Sequence, residues 1–186
     1  RSATPRGAPP GRGEALCGRP RRSRLAADGV DVSGIDVAKG ETTGSAFVRY
    51  RADGSRTFVY NIAHSATGRL ILTPGAEALM ASCHHMHVTG TALSAPGLAH
   101  VAREAIARIK ARGGTLSFDP NLRPEILDTP ALRQAVHDVL AQTDLFLPSG
   151  EEVFLFTDAR DEAAAVKELR PRGIGAIVIK RGNKGQ

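Results

Sequence analysis

Between Cys83 and Gly182 the chain alternates short apolar runs with amphipathic stretches, and no other feature constrains the fold as strongly. CHHMHVTG (83–90) reads as a strand that ends in Gly90. LAHVAREAIARIKARGG (98–114) places Leu98, Val101, Ala102, Ala105, Ile106 and Ile109 on one face, a helical period that Gly113 stops. TLSFDPN (115–121) is a second strand, and residues 130–141 a second helix with Thr129 as its N-cap and Pro130 in first position. DLFLP (144–148) is a third strand, 150–156 and 161–170 are helical, and GAIVIKRG (175–182) is a fourth strand. Strands alternating with helices in this way predict an α/β fold, a parallel sheet with helices on its faces.

Right-handed crossovers then bring the C-terminal ends of all four strands to one edge, where open α/β sheets bind ligands. The residues predicted there are Thr89-Gly90-Thr91, Asp119-Pro120-Asn121-Leu122-Arg123, Pro148-Ser149-Gly150-Glu151-Glu152 and Lys180-Arg181-Gly182-Asn183. Each strand is apolar and each strand end is polar. The reading requires Arg123, Thr91 and Glu152 to share one end of the sheet.

Upstream the pattern differs. Residues 42–62 hold two β-rich runs, near 44–50 and 56–62, on either side of Asp53-Gly54, a strong hairpin signal. A lone hairpin is marginally stable, so this one needs partners and is either a small lid over the sheet edge or an oligomer contact. LAADGVD (25–31) reads as the last turn of a helix capped by Gly29.

The formal net charge is +6, and residues 1–24 carry all of it, with seven Arg and one Glu. The rest of the chain balances 18 basic against 18 acidic residues. Twenty of the first 24 residues are Arg, Pro, Gly, Ala or Ser, without apolar periodicity, so this segment is expected to lack order. It is either a polyanion-binding arm or a tail foreign to the fold, and the composition favours the tail. Basicity confined there leaves no nucleic-acid-binding face on the body. Aromatics at 4% with no Trp argue against a base-stacking platform. No apolar run reaches the 18 or so residues of a membrane span, and Cys17 and Cys83 are too few for a disulfide framework. Gly-x-Gly-x-x-Gly and Walker-type glycine motifs are absent.

Each candidate residue also has a structural reading. Asp119, Asn121 and Arg123 occupy alternate positions of one loop, and the Arg123 fork suits a carboxylate or phosphate. The same loop, stiffened by Pro120 and Pro124, could simply cap a helix. Glu151 and Glu152 open a helical segment, where acids complement the helix dipole or organise a hydrated cation near phosphates. Lys180 either meets a phosphate or solvates the sheet edge. His85 and His87 share a strand face beside Cys83 and His84, and hydrogen-bonded structural histidines are the commoner outcome than metal ligands there.

FDPNLRPEIL, DLFLPSGEEV, AIVIKRGNKG and HVTGTALS, preceded by the hairpin, together resemble the PfkB, or ribokinase-like, carbohydrate kinases. Within that family they are most similar to the 2-keto-3-deoxygluconate kinases. The resemblance runs from about Leu25 to the C-terminus. It implies a ribokinase-like domain over 25–186, with lid strands at about 42–62 and an α/β core at about 83–186. It further implies a cytoplasmic enzyme that phosphorylates a sugar or sugar-acid hydroxyl with ATP and Mg2+, and a homodimer contact through the hairpin.

The resemblance makes Arg123 the contact for the acidic end of the substrate. Asp119 and Asn121 shape the pocket, Thr89, Gly90 and Thr91 line it, and Tyr60 covers it. Ser149, Glu152, Lys180 and Gly182 fall on the nucleotide and phosphate side. Glu152 matches the glutamate of the family's Asn-x-x-Glu motif, with an indirect role toward the metal, and Ser149 replaces that motif's asparagine. Two departures are larger. The family's first strand, with its Gly-Gly sugar motif, would precede Leu25, and the Asp-Thr-x-Gly-Ala-Gly-Asp motif with the catalytic base would lie beyond Gln186. The expectation is therefore a chain incomplete at both ends, with no catalytic base and no turnover of its own. Rival expectations are a non-catalytic sugar-acid-binding unit and a kinase for fructose or ribose.

Overall fold

The computed structural model describes residues 18–51, 56–62, 64–122 and 129–182. The hairpin turn at Asp53-Gly54, Arg123 and Pro124, Asn183, and residues 1–17 with Cys17 lie outside the described residues. Eleven helices and strands follow in chain order among those described. They are α1 (Gly18–Ala27), β1 (Ser45–Tyr50), β2 (Arg56–Asn61), α2 (Pro74–Ser82), β3 (His85–Thr89), α3 (Pro96–Ala111), β4 (Thr115–Asp119), α4 (Pro130–Leu140), β5 (Leu145–Phe146), α5 (Glu162–Leu169) and β6 (Ala176–Ile177). Short 3-10 turns at Ala66–Arg69, Gly90–Ser94, Gly150–Phe156 and Arg170–Arg172 join them.

The sheet is parallel in the order β3-β4-β5-β6, so each crossover moves one strand along and every strand ends on the same edge. Helix α3 buries Ala99, Ala102, Ala105, Ile106 and Ile109. The buried face is thus centred one residue beyond the expected one, with Leu98 and Val101 half-buried at its margin. Helix α4 begins as its sequence predicts, with Pro130 first and the Thr129 hydroxyl accepting from the Leu132 N–H at 3.3 Å. Phe118 of β4 and Phe146 of β5 are fully buried and stack at 6.0 Å, and Phe156 meets Phe146 edge-on at 5.6 Å.

Four elements differ from expectation. Strands β5 and β6 are only two residues long, because Pro148 offers no amide to a ladder, yet parallel pairing continues beyond them. Val178 N–H bonds Phe146 O at 2.8 Å, Lys180 N–H bonds Pro148 O at 2.8 Å, and a bridge joins Ser149 to Lys180. Residues 150–156 form a 3-10 turn rather than an α-helix, opened by the Glu152 N–H bonding Ser149 O three residues back. Helix α1 starts at Gly18, seven residues inside the segment expected to lack order, and Gly29 follows it with φ +82°.

Helix α2 has no counterpart among the elements expected from the sequence. Its start carries an ordinary signal, Thr73 capping the Ala76 N–H ahead of Pro74. It buries no residue fully, so its apolar period is weak. A methyl on Gly75 would lie 2.4 Å from Ser33 O, so this glycine lets the 33–34 segment rest on the helix.

The hairpin β1–β2 is antiparallel, from Ser45 opposite Asn61 to Tyr50 opposite Arg56, and forms its own sheet. Phe47, Tyr50 and Val59 remain 66%, 68% and 64% exposed, so these side chains do not extend the core. Its root is tied down where Ala66 N–H bonds Thr42 O at 2.9 Å and Gly44 N–H bonds the Thr67 hydroxyl at 3.3 Å. The turn beside that root touches the start of α3, for a methyl on Gly97 would lie 2.6 Å from Gly68 O. Helix α3 starts at the C-terminal end of β3, so the hairpin springs from the polar edge of the sheet.

At the opposite edge Asp144 fastens β4 to β5. Its carboxylate accepts from Lys110 Nζ at 2.8 and 3.0 Å and from the Leu116 N–H at 2.6 Å. Partial burial pushes its pKa up, but the Lys110 ammonium and the Leu116 amide outweigh that and hold it below the usual aspartate value. A depressed folded-state pKa contributes stability above the unfolded value of about 3.9 and loses it as pH falls through the folded one. Asp144→Asn should therefore lower Tm at pH 7, with the gap to the parent narrowing as pH falls below the unfolded value of about 3.9. A Tm difference that stays constant from pH 7 to pH 3 would refute this.

Candidate functional site

Four strand ends converge on the polar edge. After β3, Gly90 is buried, with Thr89 and Thr91 half-buried on either side and their hydroxyls 3.5 Å apart. After β4 come Asp119, buried Pro120, exposed Asn121 and buried Leu122. After β5 come buried Pro148, exposed Ser149, Gly150 with φ +47°, and half-buried Glu152. Beyond β6, Lys180 is followed by Arg181, which turns away to pair with Glu162, and by Gly182 with φ +59°. Thr91 and Glu152 thus occupy the same end of the sheet, as does Leu122, the residue before Arg123.

The loop after β4 is held at three nearly consecutive points. First, Asp119 Oδ2 pairs with Lys180 Nζ across the end of the intervening strand. Both side chains are largely buried, at 21% and 34% exposure, and Asp119 Oδ1 is buried with no hydrogen-bond partner. Second, Pro120 O lies where a methyl on Gly90 would be only 2.1 Å away, and Leu122 Cδ2 would be 2.9 Å away. Only glycine lets β3 and the β4 loop come this close. Third, the Leu122 N–H donates to Glu152 Oε1 at 2.7 Å, while the Ser149 N–H donates to Glu152 Oε2 at 2.7 Å. Between these anchors Asn121 adopts φ +39°, a left-handed conformation that Asn tolerates better than most side chains.

The residues singled out from sequence are therefore distributed as follows. Thr89, Gly90, Thr91, Asp119, Asn121, Ser149, Glu152, Lys180 and Gly182 all lie along one edge. Tyr60 lies on the hairpin, stacked on Phe58 at 5.8 Å, and Arg123 lies outside the described residues. His85 and His87 are on β3, hydrogen-bonded to β4. His85 reaches the Thr115 hydroxyl at 2.7 Å and the Ser117 hydroxyl at 2.9 Å, and His87 reaches Ser117 at 2.8 Å. Among the described residues no three His, Cys, Asp or Glu side chains gather as a metal site.

The sequence reading had not found the paired use of Glu152. Its signal was present, since Ser149-x-x-Glu152 is the spacing at which a glutamate reaches back to the amide that starts a helical turn. The bond to Leu122, 30 residues away, has no local signature.

The close contact at Gly90 makes a test. Gly90→Ala should force the β4 loop away from β3 and destabilise the chain by about 1–3 kcal/mol, as overpacking does. Urea unfolding would show it, and an unchanged midpoint would mean the contact is not tight.

Comparison with known proteins bears on what this edge is for. Residues 13–186 match the pfkB family carbohydrate kinase model. A fructokinase of Klebsiella pneumoniae is 31% identical over 156 residues, which cover 83% of this chain and 50% of that protein. A 2-dehydro-3-deoxygluconokinase of Thermoproteus tenax is 29% identical over 161 residues, covering 84% and 49%. The chain thus spans about half the length of these curated relatives. An E. coli protein assigned as a ribokinase II, solved in complex with ATP and Mg2+, superposes with a TM-score of 0.81 at 40% identity, over 90% of this chain and 54% of that one.

Proposed function

The chain belongs to the pfkB family of carbohydrate kinases, and from that premise we propose that its polar edge binds a sugar acid of the 2-keto-3-deoxygluconate type for phosphorylation by ATP. The observation that carries this reading is the convergence of Thr89, Thr91, Asp119, Asn121, Glu152 and Lys180 at one end of a parallel sheet. That is where an open α/β sheet meets its ligand. Matches to 2-dehydro-3-deoxygluconokinases support the substrate class. Matches to fructokinases make fructose the second reading.

In this proposal the Thr89 and Thr91 hydroxyls and Asn121 meet the hydroxyls of the sugar, and Arg123 takes its carboxylate with a two-pronged charged contact. Asp119, held by Lys180, shapes the pocket. Tyr60 and the hairpin, rooted at the same edge, cover the site, and the exposed face of the hairpin meets a second copy. Lys180, Ser149 and Gly182 face the phosphates. ATP, bound with Mg2+, supplies the phosphoryl group, and the enzyme works in the cytoplasm.

The described residues do not fit a dedicated protein site for that metal, because no three His, Cys, Asp or Glu side chains gather among them and Glu152 is engaged by two amides. Transfer to a hydroxyl also requires a group that takes the hydroxyl proton. Asp119 is paired with Lys180 and Glu152 with two amides, so neither is assigned that role. The 186-residue chain is accordingly expected to bind the sugar acid without turning it over.

Calorimetry of the chain with 2-keto-3-deoxygluconate, fructose and ribose tests the reading. The acid should bind tightest, and Arg123→Ala should weaken it roughly 10- to 100-fold, the worth of a charge-assisted hydrogen bond. Fructose binding as tightly as the acid would transfer the assignment to fructose. Failure of all three sugars to bind would remove the sugar site altogether.

A further inference from the structure

We infer that Glu152 is a positioning residue, a carboxylate clamp that fixes the loop carrying Asn121 and Arg123 against the loop after β5 and presents the sugar-binding loop preformed before metal or nucleotide arrives. The inference rests on the sugar-site reading for its purpose, but its geometry stands apart from it.

The two carboxylate oxygens are used symmetrically. Oε1 takes the Leu122 N–H and Oε2 takes the Ser149 N–H, each at 2.7 Å. These are short bonds to a charged acceptor, about twice as strong as neutral ones. One donor follows β4 and the other follows β5, so the single side chain closes the gap between two neighbouring strand ends.

The position of the clamp explains its need. Asn121, immediately before Leu122, sits at φ +39°, a conformation that must be held by its surroundings. Leu122 is buried, with 7% of its surface exposed, so its amide needs an acceptor other than water. Among the described residues the Leu122 amide makes no other hydrogen bond. Removing Glu152 would leave the buried Leu122 donor unpaired and free the turn that carries Asn121.

A carboxylate spent in this way differs in its consequences from one that organises a cation. A clamp acts on the sugar loop with no metal present. A cation-organising group acts only when Mg2+ and nucleotide are bound.

The test uses Glu152→Gln and Glu152→Ala. Glutamine keeps one acceptor oxygen and turns an amide donor toward the second N–H, and alanine keeps neither. Amide hydrogen exchange in EDTA is read at Leu122 and Ser149, with the β3–β4 ladder amides as the control for folding. The clamp predicts exchange at least about tenfold faster at Leu122 or Ser149 in the glutamine variant and at both in the alanine variant, with the ladder unchanged. Sugar-acid affinity in EDTA should fall in the same order.

Unchanged exchange at both amides overturns the inference. So does a defect in sugar binding that appears only when Mg2+ and nucleotide are added. Accelerated exchange in the variants, with a parent chain that binds no sugar acid, would confirm the clamp and defeat the sugar-site reading, so the two failures are distinguishable.

Discussion

The contact between Phe118 and Phe146 sets the geometry on which the polar edge depends. Both rings are fully buried and stacked, and they are partners across the β4–β5 register. A one-residue slip between these strands would turn one ring out of the core, so their burial fixes the register. With the register fixed, Pro120 and Pro148 leave the sheet side by side, and the positions of Leu122 and Ser149 around Glu152 follow. Apolar packing in the middle of the sheet thereby places polar chemistry at its end.

That edge commits its charges to fixed partners. Lys180 and Asp119 neutralise each other in a half-buried setting, where an unpaired charge would be costly. Glu152 has no cationic partner among its hydrogen bonds and is stabilised by backbone dipoles. The result is a rim that carries ionic groups yet keeps its loops in one arrangement. Under the proposed sugar-site reading, a ligand would meet the threonine hydroxyls and Asn121 without first having to order the chain. Preorganisation of this kind raises affinity by lowering the entropy lost on binding.

Apolar patterning made the parallel sheet, α3 and α4 legible in the sequence, because each buries a face whose spacing repeats locally, and the hairpin strands were legible from their β-rich runs on either side of Asp53-Gly54. The Thr129-Pro130 start of α4 and the left-handed glycine after α3 were legible for the same reason, since caps act within a few residues. Helix α2 escaped notice because it buries no residue fully and so leaves little trace in the hydrophobic pattern. The residues of the edge could be named from strand ends alone. Their partners could not. Asp119 with Lys180 spans 61 residues and Glu152 with Leu122 spans 30, and neither separation has a periodic signature. The closeness of Gly90 to Pro120 O is likewise a property of two strands packed together, invisible in either one.

Asn121 shows how these long-range contacts act on a local choice. A left-handed backbone at a non-glycine residue costs about 1–3 kcal/mol and persists only where neighbours enforce it. Here Pro120 is pressed against Gly90 on one side, and Leu122 is buried and bonded to Glu152 on the other. The turn between them has little freedom left. Glycine at 121 would relieve the strain and remove the side chain that faces solvent at the rim, whereas asparagine keeps a polar group there at modest conformational cost. The same three contacts that hold the loop also decide which residue type can occupy its apex.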